Sequence, residues 1–448
     1  MTDNEKNEIN KVLAYQDVAL KELEKNIEIS NEILNKRIDN SKMILSSLGK
    51  DSVVDTKIQE IYKSKTLLKI PSWDELCIEA NKVIKDDIEI ECLFTENEIK
   101  ENKDYILLLN EQYNSIHRLD KYDYIISGSA AIFSAALNFL LVGIPQRTPD
   151  GLKGGALEDW LRSKFKDIIP KDLDKKEISK VTFDAQDNRN TIKTVEGLSA
   201  YYHRLLELGH NPSLIGFIVG IIDIFKGTMT TIDKKGKLVI QVIDVYSDRK
   251  AKNIFEAMCK EIVHLASDVN TEMGLPAPLM SLFNLLQVGD IEGQTIAEIV
   301  QGMYYEGYDF IHFCSQSICI MVLEVIVRLA YSIRKIRDGN KIKDSLPLSL
   351  NREKNPKLAT MLWIAHSGCT AINGGQVYFT ENPMAINYAE WLAFAKYTFS
   401  QAKWVLYDKP ELRDKYVRGV IENELMNVYE DIDMLFLEYS NKCNIVFS

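Results

Sequence analysis

Apolar residues recur near the start of the chain as Ile9, Leu13, Leu20, Leu23, Ile27 and Leu34, close to a 3.5-residue period with charged residues between them. This spacing predicts a long amphipathic, coiled-coil-like helix, imperfect where Gln16 and Ser30 fall in the same seam. Such a helix either packs on its own protein or associates with another copy. "SLGKDS" (residues 47–52) then supplies a glycine stop. Ser72 with Glu75 and Thr95 with Glu98 have capping-box spacing, so helices are expected to begin there.

From Tyr124 to Ile144 the pattern changes to "YIISGSAAIFSAALNFLLVGI", with no charged residue. A hydrocarbon core about 30 Å thick needs about 20 apolar helical residues, so the segment is long enough to span one. Ser127, Gly128, Ser129, Ser134 and Asn138 dilute its hydrophobicity, and the small residues Gly128, Ala131 and Ala135 form a strip that admits a close neighbouring helix. We read it as the central helix of a helical core, with insertion into lipid on a trigger as the alternative.

Further on, Leu157, Trp160, Leu161, Phe165 and Ile168 fit one face of a helix, and "PKDLDKKEISKVTFDAQDNRN" (170–190) has the polarity of an exposed loop. A helix is expected over "VEGLSAYYHRLLELGH" (195–210), and another from Pro212. The β-branched runs of "TMTTIDKKGKLVIQVID" flank the turn residues Asp233 to Gly236 and predict one small β-hairpin near 229–243. Helices are expected at about 250–268, 276–287, 294–337, 356–372, 387–407 and 409–439. The fold class is therefore mainly α, with an N-terminal helical arm (1–66), a helical core with the inserted hairpin (67–407) and a C-terminal amphipathic helix and tail (408–448).

Composition narrows the partners. A net charge of −11 disfavours general nucleic-acid binding, which relies on Lys and Arg displacing counterions. Seven cysteines without a C-x-x-C pair suit reduced thiols, and the N-terminal residues are too polar for an export signal, so a cytoplasmic location is expected, with peripheral contact to the inner membrane as a variant.

Chemistry is sparse. Glu261 with His264 and Asp309 with His312 are carboxylate-x-x-histidine pairs; two such pairs on facing helices, joined by further carboxylates, hold iron or manganese in di-metal bundle proteins. Glu298, Glu306 and Glu324 are candidate supplements. Asp184, Asp187 and Arg189 concentrate in one polar stretch, and His203 and His210 are two helical turns apart, making these five the candidates for a ligand-binding loop. "GLKGG" lacks the spacing of a phosphate-binding loop, and no Rossmann, kinase or zincin motif occurs.

The segments "LDKYDYIISGSAAIFSAALNFLLVGIPQ", "YYHRLLELGHNPSLIGF", "TIAEIVQGMYYEGYDFIHF" and "NPKLATMLWIAH" together resemble a family of uncharacterised bacterial proteins, over about residues 70–407. The resemblance implies a bacterial origin, in accessory-genome loci where defence genes gather, and brings no catalytic residue with it. The expectation from sequence is a non-enzymatic helical assembly protein of a defence or stress-response system. It would associate with itself or a protein partner through the N-terminal helix, perturb membranes conditionally through residues 124–144, and need no cofactor. The alternative is a helical-bundle metalloenzyme with Fe or Mn at Glu261, His264, Asp309 and His312.

Overall fold

The structure is a computed structural model that describes residues 2–48, 66–289, 293–443 and 445–447. The predicted glycine stop at Gly49 lies outside the described residues. The chain divides into two compact units, residues 1–115 with 409–448, and residues 116–408. Both are mainly helical.

The elements begin with α1 (Asp3–Ser47), β1 (Thr66–Leu68), α2 (Trp73–Val83) and α3 (Glu96–His117). Thr2 and Ser72 close full capping boxes on α1 and α2, and Thr95 Oγ1 accepts from the Glu98 amide at the start of α3. Each box satisfies first-turn N–H groups that have no helical partner. In α1 only Asn10, Val12 and Ala14 are buried, and Leu20, Leu23, Ile27 and Leu34 stay exposed.

Then come α4 (Lys121–Leu137), ending in a π-turn (Asn138–Val142), the strands β2 (Gln146–Thr148) and β3 (Gly151–Lys153), and α5 (Ala156–Ile168). Gly143, at φ 66°, ends the apolar helix in the left-handed region where a glycine is least strained. In α5 the predicted face is rotated. Trp160 and Ile168 are exposed while Glu158 is buried, because its carboxylate meets Arg162 and His312; Leu161 and Phe165 do join an apolar cluster with Val269, Leu275 and Ile311.

The expected helix over 195–210 is mostly turns, with only α6 (His203–Leu206) and a 3-10 turn at Leu208–His210. After α7 (Leu214–Lys226), the hairpin β4 (Thr228–Ile232) and β5 (Leu238–Val242) pairs Thr228 with Val242 and Ile232 with Leu238. Asp233 Oδ1 accepts from the Lys235 and Lys237 amides and Gly236 has φ 76°, so the turn chemistry read from the sequence sets the register.

Next are α8 (Ile254–Val269), α9 (Ile296–Tyr305), α10 (Phe310–Arg337), α11 (Ile342–Ser345), α12 (Leu358–Thr380), α13 (Tyr388–Lys403), α14 (Lys409–Cys443) and β6 (Ile445–Phe447), which pairs in parallel with β1. The stretch expected as one helix over 294–337 breaks at Gly307, φ 112°, where Asp309 caps α10 by accepting from the His312 amide. Residues 276–287 form a 3-10 turn, Met280–Leu285, in place of a helix.

Within the unit of residues 116–408, α4 packs on α10 and α12, and α13 completes the bundle. Its core includes Ala130, Ala131, Leu323, Val327, Met361, Leu362 and Tyr397. A Cβ at Gly368 would stand 3.1 Å from that of Ala131, so the small-residue strip is where α12 approaches α4. Ser127, Ala131 and Asn138 are buried, and Gly128 and Ala135 half-buried. A second cluster, with Phe183, Leu206, Ile224, Met229 and Val239, joins α7, α8 and the hairpin.

Candidate metal centre

Three short pieces of chain meet beside this second cluster. The polar stretch expected as an exposed loop instead inserts Val181, Phe183 and Ala185 fully into the core, which turns Asp184 between them in the direction of α6. The α6 turn contributes His203, the following 3-10 turn His210, and α8 contributes His264 and, one turn later, Asp268. All are buried except Asp184, whose side chain is 27% exposed.

Two of the three imidazoles share one orientation. His264 Nδ1 lies 2.7 Å from the Ser179 carbonyl and His203 Nδ1 3.0 Å from the Ala200 carbonyl. A carbonyl only accepts, so both Nδ1 atoms carry the proton and both Nε2 atoms present a lone pair. His210 Nδ1 stands 2.9 Å from the Glu207 carboxylate, close to it but outside hydrogen-bond geometry. Phe183 packs edge-on against His210 and His264 at 5.1 and 5.4 Å, and this approach requires Gly209, where a Cβ would meet the ring at 2.5 Å.

The Nε2 atoms converge. His264 Nε2 and His210 Nε2 are 3.0 Å apart, and Asp268 Oδ2 is 3.3 Å from the latter and 3.6 Å from the former. Asp184 Oδ1 is 3.6 Å from His203 Nε2 and 3.9 Å from His210 Nε2. Two imidazole lone pairs facing each other repel unless a proton or a cation lies between them. Ligands held about 2.0 to 2.2 Å from one ion stand about 3.0 to 3.6 Å from one another, which is close to this spacing. Among the described residues, His203 Nε2 has no hydrogen-bond partner although it is buried and aimed into the cluster.

The electrostatics fit a cation. Burial, with smaller contributions from neighbouring positive charge, lowers the pKa of His203 and drives that of His210 well down, so both stay neutral and able to donate. Arg204 binds Asp268 at 3.0 Å and Thr271 at 2.8 Å; burial opposes its charge, but Asp268, Tyr304 and Asp184 together raise its pKa. Burial, reinforced by the charge of Asp184, pushes Glu207 well above the usual carboxylate range. A nitrogen-rich set with two carboxylates suits a first-row divalent metal such as zinc, manganese or iron.

The residues singled out from sequence are divided by the fold. His264, His203, His210 and Asp184 come together; Asp187 and Arg189 pair with each other on the surface. Glu261 is buried one turn before His264 but faces α7, where a Cβ at Gly220 would lie 2.4 Å from its carboxyl carbon. Asp309 and His312 belong to another buried network: Arg162 bridges Glu158 and Asp309, and His312 Nδ1 meets Glu158 at 2.6 Å. Glu298 caps α9, Glu306 ends it, and Glu324 pairs with Arg328. Sequence reasoning names Arg204 and Glu207 as the nearest partners of His203 and His210 but misses Asp268, whose signal is the H-x-x-x-D spacing in "HLASD".

Two cavities lie nearby. One of about 480 Å³ takes Ser267 and Thr271, which flank Asp268 in the chain, and has Lys166 and Lys171 at its edge. The other, about 860 Å³, is apolar, with Met280, Val300, Met303, Tyr308 and Trp391 among its walls. No family model, curated protein or solved structure matches this chain.

Proposed function

We propose that the protein is a divalent-metal enzyme of hydrolytic type, with the ion held by His210, His264 and Asp268 and closed on the solvent side by Asp184 and His203, which form an adjoining set with His210. The observation that carries this reading is that His264 Nε2, His210 Nε2 and Asp268 Oδ2 stand 3.0 to 3.6 Å from one another, with His264 oriented by the Ser179 carbonyl. When bound, such an ion lowers the pKa of a coordinated water and polarises a substrate oxygen. The chain orients His264 and His203 through Ser179 and Ala200, excludes water on the buried side through Phe183, and neutralises Asp268 through Arg204. Lys166 and Lys171, beside the cavity shared with Ser267 and Thr271, support an anionic substrate such as a phosphoester.

Metal analysis of protein purified from medium containing zinc, manganese and iron tests the reading. About one ion per chain is expected, lost in His210→Ala and His264→Ala and kept in His312→Ala, with hydrolysis of an aryl phosphoester panel following the metal. A wild-type protein without metal refutes the centre. Bound metal without hydrolysis, together with unfolding on chelation, refutes the enzymatic part and leaves a structural ion.

A second reading, assembly through α1, is supported by one observation. Leu20, Leu23, Ile27 and Leu34 repeat at coiled-coil spacing and are exposed. This is compatible with a metal enzyme that works as an oligomer.

A further inference from the structure

We propose that the outer face of α4 and α10, with the basic segment Arg334–Lys357 at one end of it, seats the protein on an anionic lipid bilayer. The proposal is independent of the metal centre and goes beyond it.

These helices turn large apolar side chains outward and bury polar residues among the apolar ones of the core. On α4 the buried positions include Asp123, Ser127, Ser134 and Asn138, while Ile125, Ile132, Phe133, Phe139 and Leu140 face outward. On α10 the polar His312, Ser315, Gln316 and Ser332 are buried, and Met321, Val325, Leu329 and Ile333 form an exposed stripe at four-residue spacing. A helix on a water-facing protein turns charged and polar residues outward. The two stretches pass the length and hydropathy test for crossing a membrane, and only 33% and 44% of their most apolar windows are buried.

The dimensions suit lipid. From Lys121 to Val142 the helical rise is about 33 Å, against about 30 Å of hydrocarbon. The charges on α10 are turned away from the stripe: Glu324 holds Arg328 at 3.0 Å and Tyr397 of α13 at 2.7 Å, and Arg328 donates to the Pro347 carbonyl.

One end of the face carries a charge that selects the occupant. Arg334 of α10 pairs with Asp120 and Asp123 at the start of α4, and Lys357 joins Asp123 at 3.3 Å, so the segment Arg334–Lys357 is tied to the α4 terminus. This segment has eight basic and three acidic residues, and an excess of +3 remains when Asp120 and Asp123, the partners of Arg334 and Lys357, are included, in a chain of net −11. Between its lysines it exposes Ile342, Leu346 and Leu348, the last at 88%. Basic and aliphatic side chains interleaved at the edge of an apolar face match anionic headgroups above hydrocarbon.

The test is flotation of purified full-length protein with vesicles of phosphatidylcholine alone or of equal parts phosphatidylcholine and phosphatidylglycerol. Co-flotation with the anionic vesicles is expected. It should be abolished in Phe133→Asp/Val325→Asp, weakened about 30-fold in Lys341→Gln/Lys343→Gln, and unchanged in His264→Ala, which separates this proposal from the metal reading. Phe133→Trp, a substitution that keeps the position apolar, should be quenched by brominated lipid beyond the wild-type signal. Absence of flotation, flotation indifferent to the two aspartates, or absence of the added quenching overturns the proposal. So does a wild-type dimer that ignores vesicles and dissociates in the aspartate variant, since the face would then belong to a second copy.

Discussion

Glu207→Gln separates a role in orienting a ligand from a role in holding the fold. Glu207 is fully buried, and its carboxylate stands 2.9 Å from His210 Nδ1, on the opposite side of that ring from the converging Nε2 atoms. With a cation at Nε2, an ionised Glu207 accepts the Nδ1 proton and increases the basicity of His210. Glutamine keeps the acceptor oxygen and the shape but removes the charge. Loss of such a supporting contact typically weakens metal affinity 10- to 100-fold, about 1.4 to 2.7 kcal/mol.

Stability of the metal-free protein should move the other way. Burial raises the pKa of Glu207, so its contribution is fully present below its unfolded value near 4.5 and is lost as pH rises through the higher folded value. Glutamine has no such loss. Metal-free Glu207→Gln should therefore melt with the wild type near pH 4.5 and above it as pH increases. Calorimetry of chelator-treated protein across this range, with zinc titrations at pH 7, measures both effects. A variant that binds zinc like the wild type and melts lower when metal-free would refute the assignment.

Two further outcomes are expected. Arg162→Met removes the cation between Glu158 and Asp309 and should cost about 3 to 5 kcal/mol in denaturant unfolding at pH 7. Burial opposes the ionised form of Glu158, but His312 and Arg162 hold its pKa below the usual range, so wild-type stability from this network is present above about pH 4.5 and lost as pH falls; the deficit of the variant should narrow there. Leu23→Asp/Ile27→Asp replaces exposed seam residues of α1 and should leave thermal stability of a single chain unchanged while lowering the mass seen by sedimentation; an unaltered mass would count against association through this helix.

Local signals were read well where local chemistry decides the structure. The capping residues Ser72 and Thr95 and the turn at Asp233 to Gly236 act within a few residues of chain, and each forms as its spacing implies. Periodicity located the apolar helix but could not orient it, since which face is covered depends on α10 and α12, nearly two hundred residues or more downstream. The metal centre was legible only in fragments. His203 and His210 were grouped by a helical spacing, although a broken backbone rather than a continuous helix brings them together. Asp309 and His312 share an i,i+3 relation because aspartate caps the helix, a cause unrelated to ligation. Asp184 was assigned to a solvated loop because its polar neighbours outnumber Val181, Phe183 and Ala185, whose burial on either side is what holds it in place.

Asp184 is also the one partly exposed group in the set, carried on irregular chain, whereas the other ligands are enclosed. Departure of an ion must then wait for that segment to swing aside. Stripping by a scavenger such as EDTA would follow a single exponential whose rate levels off as the scavenger is increased, and the time constant would report how often this strand of backbone opens.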